Sequence, residues 1–366
     1  MSALLSREAC VTPSVTRESE RPLDSDTECQ RLLTRYGSQS SAYFNLQSGV
    51  KRFGSGDDGF IAYYTINCLA GCFNFVFANP VCDPSRRRWL IKEFIRQVPG
   101  RHMFVGIDRP VADDLRHLGL KVNEFGTEFK VPVKDFSVAG KDKKQLRHAS
   151  NLGKREGVVV REQSWSEVSA ARVNEISLSW RSNKAVGSHE LRLLTRPPVL
   201  GDEWGVRKFF AYRGDRMLGY VFFDPYYRDG KVLGYTANIL RQDTDESPTG
   251  LLDYVILTAM SKFREEGVDE LSLGIAPLYS IQPIHGDRPL LRRIAQGLFE
   301  HGNRFYAFKA LSYHKSRYRG IETKWYMATD SSSAFSVAWS ILKGTGVVSI
   351  PAIPLSRGWR QSPGSA

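Results

Sequence analysis

The stretch over residues 206–278 reads VRKFFAYRGDRMLGYVFFDPYYRDGKVLGYTANILRQDTDESPTGLLDYVILTAMSKFREEGVDELSLGIAPL, and it decides how the rest of the chain is understood. Three β-rich runs open it, at 208–212, 217–223 and 232–240. Arg213-Gly214-Asp215 and Arg228-Asp229-Gly230 separate them, and Gly/Asp clusters between apolar runs predict hairpin turns. Ser247-Pro248 then predicts a helix start, because proline at the first helical position gives up no hydrogen bond. Leu252, Val255, Ala259, Met260 and Phe263 recur at helical spacing and form one apolar stripe. Glu266-Gly267 ends the helix, and Leu271-Ser272-Leu273 is a further strand. The order is three antiparallel strands, a helix and a strand.

Working back from this stretch, the N-terminal half shows a comparable alternation. Residues 1–30 are rich in Ser, Thr, Glu and Arg and predict a mobile arm. Gly54-Ser55-Gly56-Asp57-Asp58-Gly59 lacks the Gly-Lys-Ser/Thr ending of a phosphate loop, so it predicts a turn between strands at 50–53 and 60–64. Strands follow at 71–77, 103–107 and 129–133, with helices at 85–97 and 111–118. A first unit over 31–140 and a second over 157–330 are therefore expected. Between them, residues 141–156 (KDKKQLRHASNLGKRE) predict a helix with one packing face and one basic face. Lys143, Lys144, Arg147, Lys154 and Arg155 on it suit either a solvated linker or a phosphate-contacting surface. Beyond 330, the apolar run 334–342 is too short to span a bilayer. Packing onto the fold is expected for it, with Phe335, Trp339 and Leu342 suited to a membrane interface as the alternative.

The chain of 366 residues carries a net charge of +12, from 51 Lys+Arg against 39 Asp+Glu. Such a balance favours nucleic acid or anionic lipid as a partner. Five cysteines, Cys10, Cys29, Cys68, Cys72 and Cys82, do not suggest a disulfide framework, and no Cys/His pair completes a metal site. With no apolar leader and no run of about 20 apolar residues, cytoplasmic placement is expected.

The strand–helix order resembles the core of the GNAT acyltransferase fold, and the expected class is α+β, with two tandem GNAT-like domains of mostly antiparallel sheet flanked by helices. An acetyl-CoA enzyme of that fold binds pyrophosphate in the turn before the central helix, on free backbone N–H groups. Here that turn, 241–250, carries Asp243, Asp245 and Glu246 and a proline. Repulsion of a diphosphate argues against coenzyme A, and acidic residues at a helix start have their own use against the helix dipole.

Further residues point to one family. They are Phe60-Ile61-Ala62-Tyr63, Asn79-Pro80-Val81-Cys82-Asp83, the Gly119 element, Gly126-Thr127-Glu128, Phe136-Ser137-Val138-Ala139-Gly140-Lys141 leading to Leu146-Arg147, and Leu273-Gly274-Ile275-Ala276-Pro277-Leu278. Phe305, Leu311, Lys315, Arg317, Tyr318 and Tyr326 complete the set. Together they resemble the catalytic domain of the phosphatidylglycerol lysyltransferase (aminoacyl-phosphatidylglycerol synthase) family. The resemblance implies an aminoacyl-tRNA donor, no resident cofactor or metal, and transfer to a hydroxyl or amine acceptor through a tunnel between the halves. The acceptor is an anionic phospholipid such as phosphatidylglycerol or a small molecule, the lipid with peripheral contact at the inner membrane face. The family's Asp-x-x-Arg falls on Asn238 and Arg241, so the aspartate is replaced, and an asparagine cannot serve as a base. Arg241, Asn238 and Lys315 are the implied catalytic residues, Tyr235, Glu128, Arg317 and Tyr326 the implied substrate-binding ones, and the basic helix the implied tRNA contact. An acyl-CoA N-acyltransferase and a non-catalytic tRNA- or lipid-binding module remain alternatives.

Overall fold

A computed structural model describes residues 23, 25–68, 71–182, 196, 198–302 and 307–344. The arm expected over 1–30 lies outside these as far as residue 22, as do Cys10, Phe305 and the final residues of the tail. Helix α1 (Asp26–Tyr36) begins where the Ser25 hydroxyl accepts the Glu28 N–H at 3.3 Å, and it buries Cys29, Leu32 and Leu33. Strands β1 (Lys51–Ser55) and β2 (Gly59–Cys68) close the expected glycine-rich hairpin, and β3 (Gly71–Phe77) continues the meander. Helix α2 (Arg87–Gln97) then crosses to β4 (Arg101–Ile107), which lies parallel to β3. Helix α3 (Arg109–His117) starts at an Asp108 cap with a proline in its first turn, and β5 (Lys121–Pro132) follows.

The second half repeats this sequence of events. After α4 (Lys144–Arg155), β6 (Val158–Glu162) and α5 (Ala170–Ser182) come the antiparallel strands β7 (Arg207–Arg213), β8 (Arg216–Arg228) and β9 (Lys231–Gln242). Helix α6 (Leu251–Glu265) crosses to β10 (Glu270–Pro277), parallel to β9. Then come α7 (Pro289–His301), α8 (Phe308–Ser316), β11 (Ile321–Thr329) and α9 (Ala334–Gly344). The α+β class expected from the sequence is the one observed.

The eleven strands of the described residues form one sheet in the order β1-β2-β3-β4-β11-β5-β10-β9-β8-β7-β6. The two halves have exchanged their last strands. β5 follows the first half in sequence but pairs antiparallel with β10, and β11 follows the second half but pairs with β4 on one side and β5 on the other. Helices cover both faces. α6 buries Val255, Ile256, Ala259 and Phe263 against β5 and β7–β10, and each large side chain removed from water there contributes about 1.5–3 kcal/mol. α5 packs Val173 and Ile176 on the other face of β7–β9. α2 and α3 cover one side of the first half, while α7 and α9 cluster with Phe73, Phe75 and Met327.

Two elements differ from expectation. The strand expected at 129–133 extends back to Lys121, because buried Asn123, Thr127 and Glu128 interrupt its apolar alternation. The basic and aromatic segment 311–319, for which no element is expected, lies largely in helix α8, and Lys315 is its inward-facing residue. No helix among the described residues is long and apolar enough to cross a membrane.

The seam where β5 meets β10 is close-packed. A Cβ on Gly126 would sit 2.4 Å from the Ala276 carbonyl oxygen. Gly126→Ala should therefore destabilise the protein by about 3 kcal/mol, read from the urea midpoint. An unchanged midpoint would show that the two backbones can part there without cost.

Candidate active site between diverging strands

β9 and β10 run parallel only from Gly234↔Glu270 to Thr236↔Ser272 and then separate. Two irregularities part them. On β9, Ala237 pairs with Phe223 and Ile239 with Phe222, so Asn238 is the extra residue of a bulge. On β10, the pairing with β5 jumps from Ser272 to Ile275, across Gly274 with φ 74°. That φ suits glycine, which carries no Cβ to clash. Helix α8 lies over the gap, and a cavity of about 130 Å³ remains, lined among others by Thr236, Asn238, Gly274, Ile275, His314 and Lys315.

Lys315 donates from Nζ to the Ile275 carbonyl oxygen at 2.7 Å. Burial pushes its ammonium down to about 7, partly opposed by the Glu128 carboxylate. Glu128 is fully buried on β5 and accepts hydrogen bonds from Ser272 Oγ at 2.6 Å and Trp325 Nε1 at 2.9 Å. One strand from each half and the exchanged strand β11 thus converge on this carboxylate. Beside Lys315 on α8, His314 Nε2 lies 3.0 Å from Asp253 Oδ1. Asp253 also accepts from Arg317 Nη2 and Tyr318 Oη, each at 2.9 Å. Burial pushes the Asp253 carboxyl up, but the hydrogen bond from His314, with the Arg317 charge and the Tyr318 hydroxyl, outweighs it and holds the carboxyl below its usual range.

Asn238 donates from Nδ2 to Asp224 Oδ2 at 2.6 Å. Asp224 is 1% exposed and is gripped by Arg196 through Nε at 3.0 Å and Nη2 at 2.5 Å. Arg196 also bonds Glu203, which Lys208 Nζ approaches to 3.1 Å. Asn238 is therefore the edge of a buried ionic network that faces the cavity. On the far side of this network lies a wider cleft of about 1040 Å³, lined by Tyr43, Arg52, Arg196, Trp204 and Lys343 among others. Trp204 stacks between Tyr43 and Tyr227, with ring centroids at 6.3 and 5.2 Å.

The structure brings Asn238, Lys315 and Glu128 together, with Arg317 one step behind them on Asp253. It sets the other sequence candidates apart. Arg241 pairs with Tyr220 across β8 and shares the face that packs on α5, so it is buried but does not line this cavity. The bulge at Asn238 is the reason, because one inserted residue reverses the side-chain alternation of β9. Tyr235 faces α6, stacked on Phe263 at 4.7 Å. Tyr326 lies in the core under α2 and α3, its hydroxyl accepting from Arg109 at 3.3 Å. Lys143, just before α4, and Arg147 on it bend back to carbonyl oxygens of Ser137 and Val138, at 2.8 Å each, while Lys144, Lys154 and Arg155 stay exposed. Among the described residues no cluster of His, Cys, Asp or Glu could hold a metal ion.

The acidic turn is closed on itself. Asp243 accepts the N–H groups of Asp245 and Glu246, at 3.0 and 3.2 Å, and the Arg172 guanidinium at 2.8 Å. Arg216 and Arg172 hold Glu246. Sequence reasoning does not single out His314, Asp253, Asp224 or Arg196. Their signals are weak: a histidine inside a basic run, one carboxylate at a helix start, an Asp-Pro inside a strand, and an arginine before a Pro-Pro break.

The family described as phosphatidylglycerol lysyltransferase, C-terminal, matches residues 30–329. A phosphatidylglycerol lysyltransferase of Bacillus subtilis is 22% identical over 269 residues, 70% of this chain and 30% of that protein. The chain spans less than a third of the length of the curated relatives it matches. Among solved structures, L-PGS from Bacillus licheniformis superposes with a TM-score of 0.72 at 18% identity, over 90% of this chain and 98% of that one. The C-terminal domain of an Agrobacterium fabrum protein described as a lysylphosphatidylglycerol synthetase gives 0.68 at 22% identity, over 88% and 98%. These two likenesses bear on the fold alone.

Two stability predictions follow from the charges. Asn238→Asp would set two carboxylates against one Arg196, costing about 3 kcal/mol at pH 8. Protonating one of the two carboxyls would relieve the repulsion, so the loss should shrink as pH falls to 5 in paired urea titrations. An equal loss at both values would exclude repulsion as its cause. For Lys315 the folded value of about 7 lies below the ordinary 10.5, so the unfolded chain binds more protons between them. Stability from this group therefore rises with pH across that window, by at most about 1.4 kcal/mol per pH unit. Lys315→Met should flatten that rise.

Proposed function

This chain belongs to the phosphatidylglycerol lysyltransferase C-terminal family, and we propose that it moves an aminoacyl group from aminoacyl-tRNA to the hydroxyl of a phosphatidylglycerol-like lipid, or to a small hydroxyl or amine acceptor. The observation that carries this is Lys315, a buried amine near neutrality that faces a cavity opened between two parallel strands. An aminoacyl ester is already activated. Its transfer requires positioning, stabilisation of the oxyanion, and one proton moved in each direction. Charged Lys315 would stabilise the negative charge that develops on the carbonyl oxygen and return a proton to the leaving ribose oxygen.

A lipid acceptor is supported by an apolar slot of about 70 Å³ between α7, α8 and α9, which shares Phe125 and Pro277 with the cavity. Phe335 and Trp339 on the outer side of α9 are 69% and 38% exposed, which suits peripheral contact with a bilayer. Exposed Lys144, Lys154 and Arg155 suit tRNA phosphates. Coenzyme A is disfavoured as donor because the turn before α6 already spends the N–H groups of Asp245 and Glu246 on Asp243.

The test is transfer of label from a mixture of labelled aminoacyl-tRNAs into phosphatidylglycerol vesicles or a metabolite extract. Label in a new product supports the proposal. Product with acyl-CoA alone, or binding without turnover, overturns it. Lys315→Met should lower kcat by about 100-fold or more. Because Lys315 is charged below about 7, wild-type transfer should decline as pH rises through that value, and the variant should lose this decline.

A further inference from the structure

The acceptor must lose a proton as it attacks, and the Lys315 role described above leaves that step without a base. We infer that His314 accepts this proton, with Asp253 as its positioning residue; this rests on the aminoacyl-transfer function proposed above. His314 lines the cavity, and its side chain is 27% exposed, whereas that of Asp253 is 4% exposed and lies behind it. With Nε2 at 3.0 Å from Asp253 Oδ1, the neutral ring donates there and keeps its lone pair on Nδ1. A carboxylate behind an imidazole fixes the tautomer and stabilises the imidazolium that forms.

A plain structural staple between α6 and α8 does not need the histidine. Arg317 and Tyr318 already bind Asp253 at 2.9 Å each and tie the two elements together. The sequence also puts base and acid side by side, since His314 and Lys315 are consecutive on α8 and both reach the cavity.

In the step itself, the acceptor O–H proton passes to His314 Nδ1 as the acceptor oxygen bonds to the ester carbonyl carbon. The bond from that carbon to the ribose oxygen breaks, and Lys315 supplies the proton that the ribose oxygen takes up. Exchange with water then returns His314 and Lys315 to their starting states. No oxidant or metal enters the balance.

His314→Gln keeps a hydrogen-bond donor toward Asp253 but has no basic nitrogen. We expect its kcat to fall by about 100-fold or more, with KM for both substrates and the urea midpoint little changed. In His314→Ala, added imidazole should restore part of the lost rate. If His314→Gln keeps the wild-type kcat, or raises KM alone, the histidine is not the base and the inference fails while transfer stands. If the wild-type protein transfers nothing from aminoacyl-tRNA, the function proposed above fails and the inference falls with it.

Discussion

The architecture depends on the exchange of β5 and β11. Each half builds three antiparallel strands, a helix and a parallel strand, and each then sends its next strand across to the other half's side. Without the exchange, β4 and β10 would be exposed sheet edges with unpaired backbone groups. With it, one sheet of eleven strands runs through the molecule, and its middle three strands, β11, β5 and β10, come from both halves. The register slip of β10 against β5 occurs within this shared region. The cavity therefore forms beside a junction that neither half could make alone, and Glu128 is bonded by Ser272 of β10 and Trp325 of β11.

Much of the fold was legible because its periodic elements obey simple rules. The meander at 207–242, the stripe of α6 and the hairpin at Gly54–Gly59 were set by local turn chemistry and apolar spacing. The strand exchange was not legible, because pairing between residues more than a hundred positions apart leaves no local trace. Lys315 and Asn238 were found through the family resemblance. Arg241 was taken from the family's Asp-x-x-Arg alone, and no apolar pattern marks the inserted residue at Asn238 that sets Arg241 opposite Tyr220. α8 was missed because its inward positions carry Ser312 and Lys315 rather than apolar side chains.

The asparagine that departs from the family's aspartate has a local physical account. At 2.6 Å from Asp224, position 238 already faces a buried carboxylate whose guanidinium partner, Arg196, is also committed to Glu203. An amide there adds a donor and no charge. The same economy of charge holds in the turn before α6, where Arg172 and Arg216 neutralise Asp243 and Glu246. In both places the carboxylates are already held by neighbouring guanidinium groups.

The strand exchange also sets the order in which this protein can be made. A chain emerging from the ribosome completes β4 and β5 long before β11, at Ile321–Thr329, exists to lie between them. Until then, residues Arg101–Ile107 and Lys121–Pro132 lack the neighbour that separates them in the finished sheet. The N-terminal half is thus a poor candidate for folding during synthesis, and its open strands are a standing invitation to pair with another copy. Closure of the middle of the sheet is a late, long-range event, slow by the ordinary cost of joining distant segments. Stability in this molecule belongs to the whole chain rather than to either half.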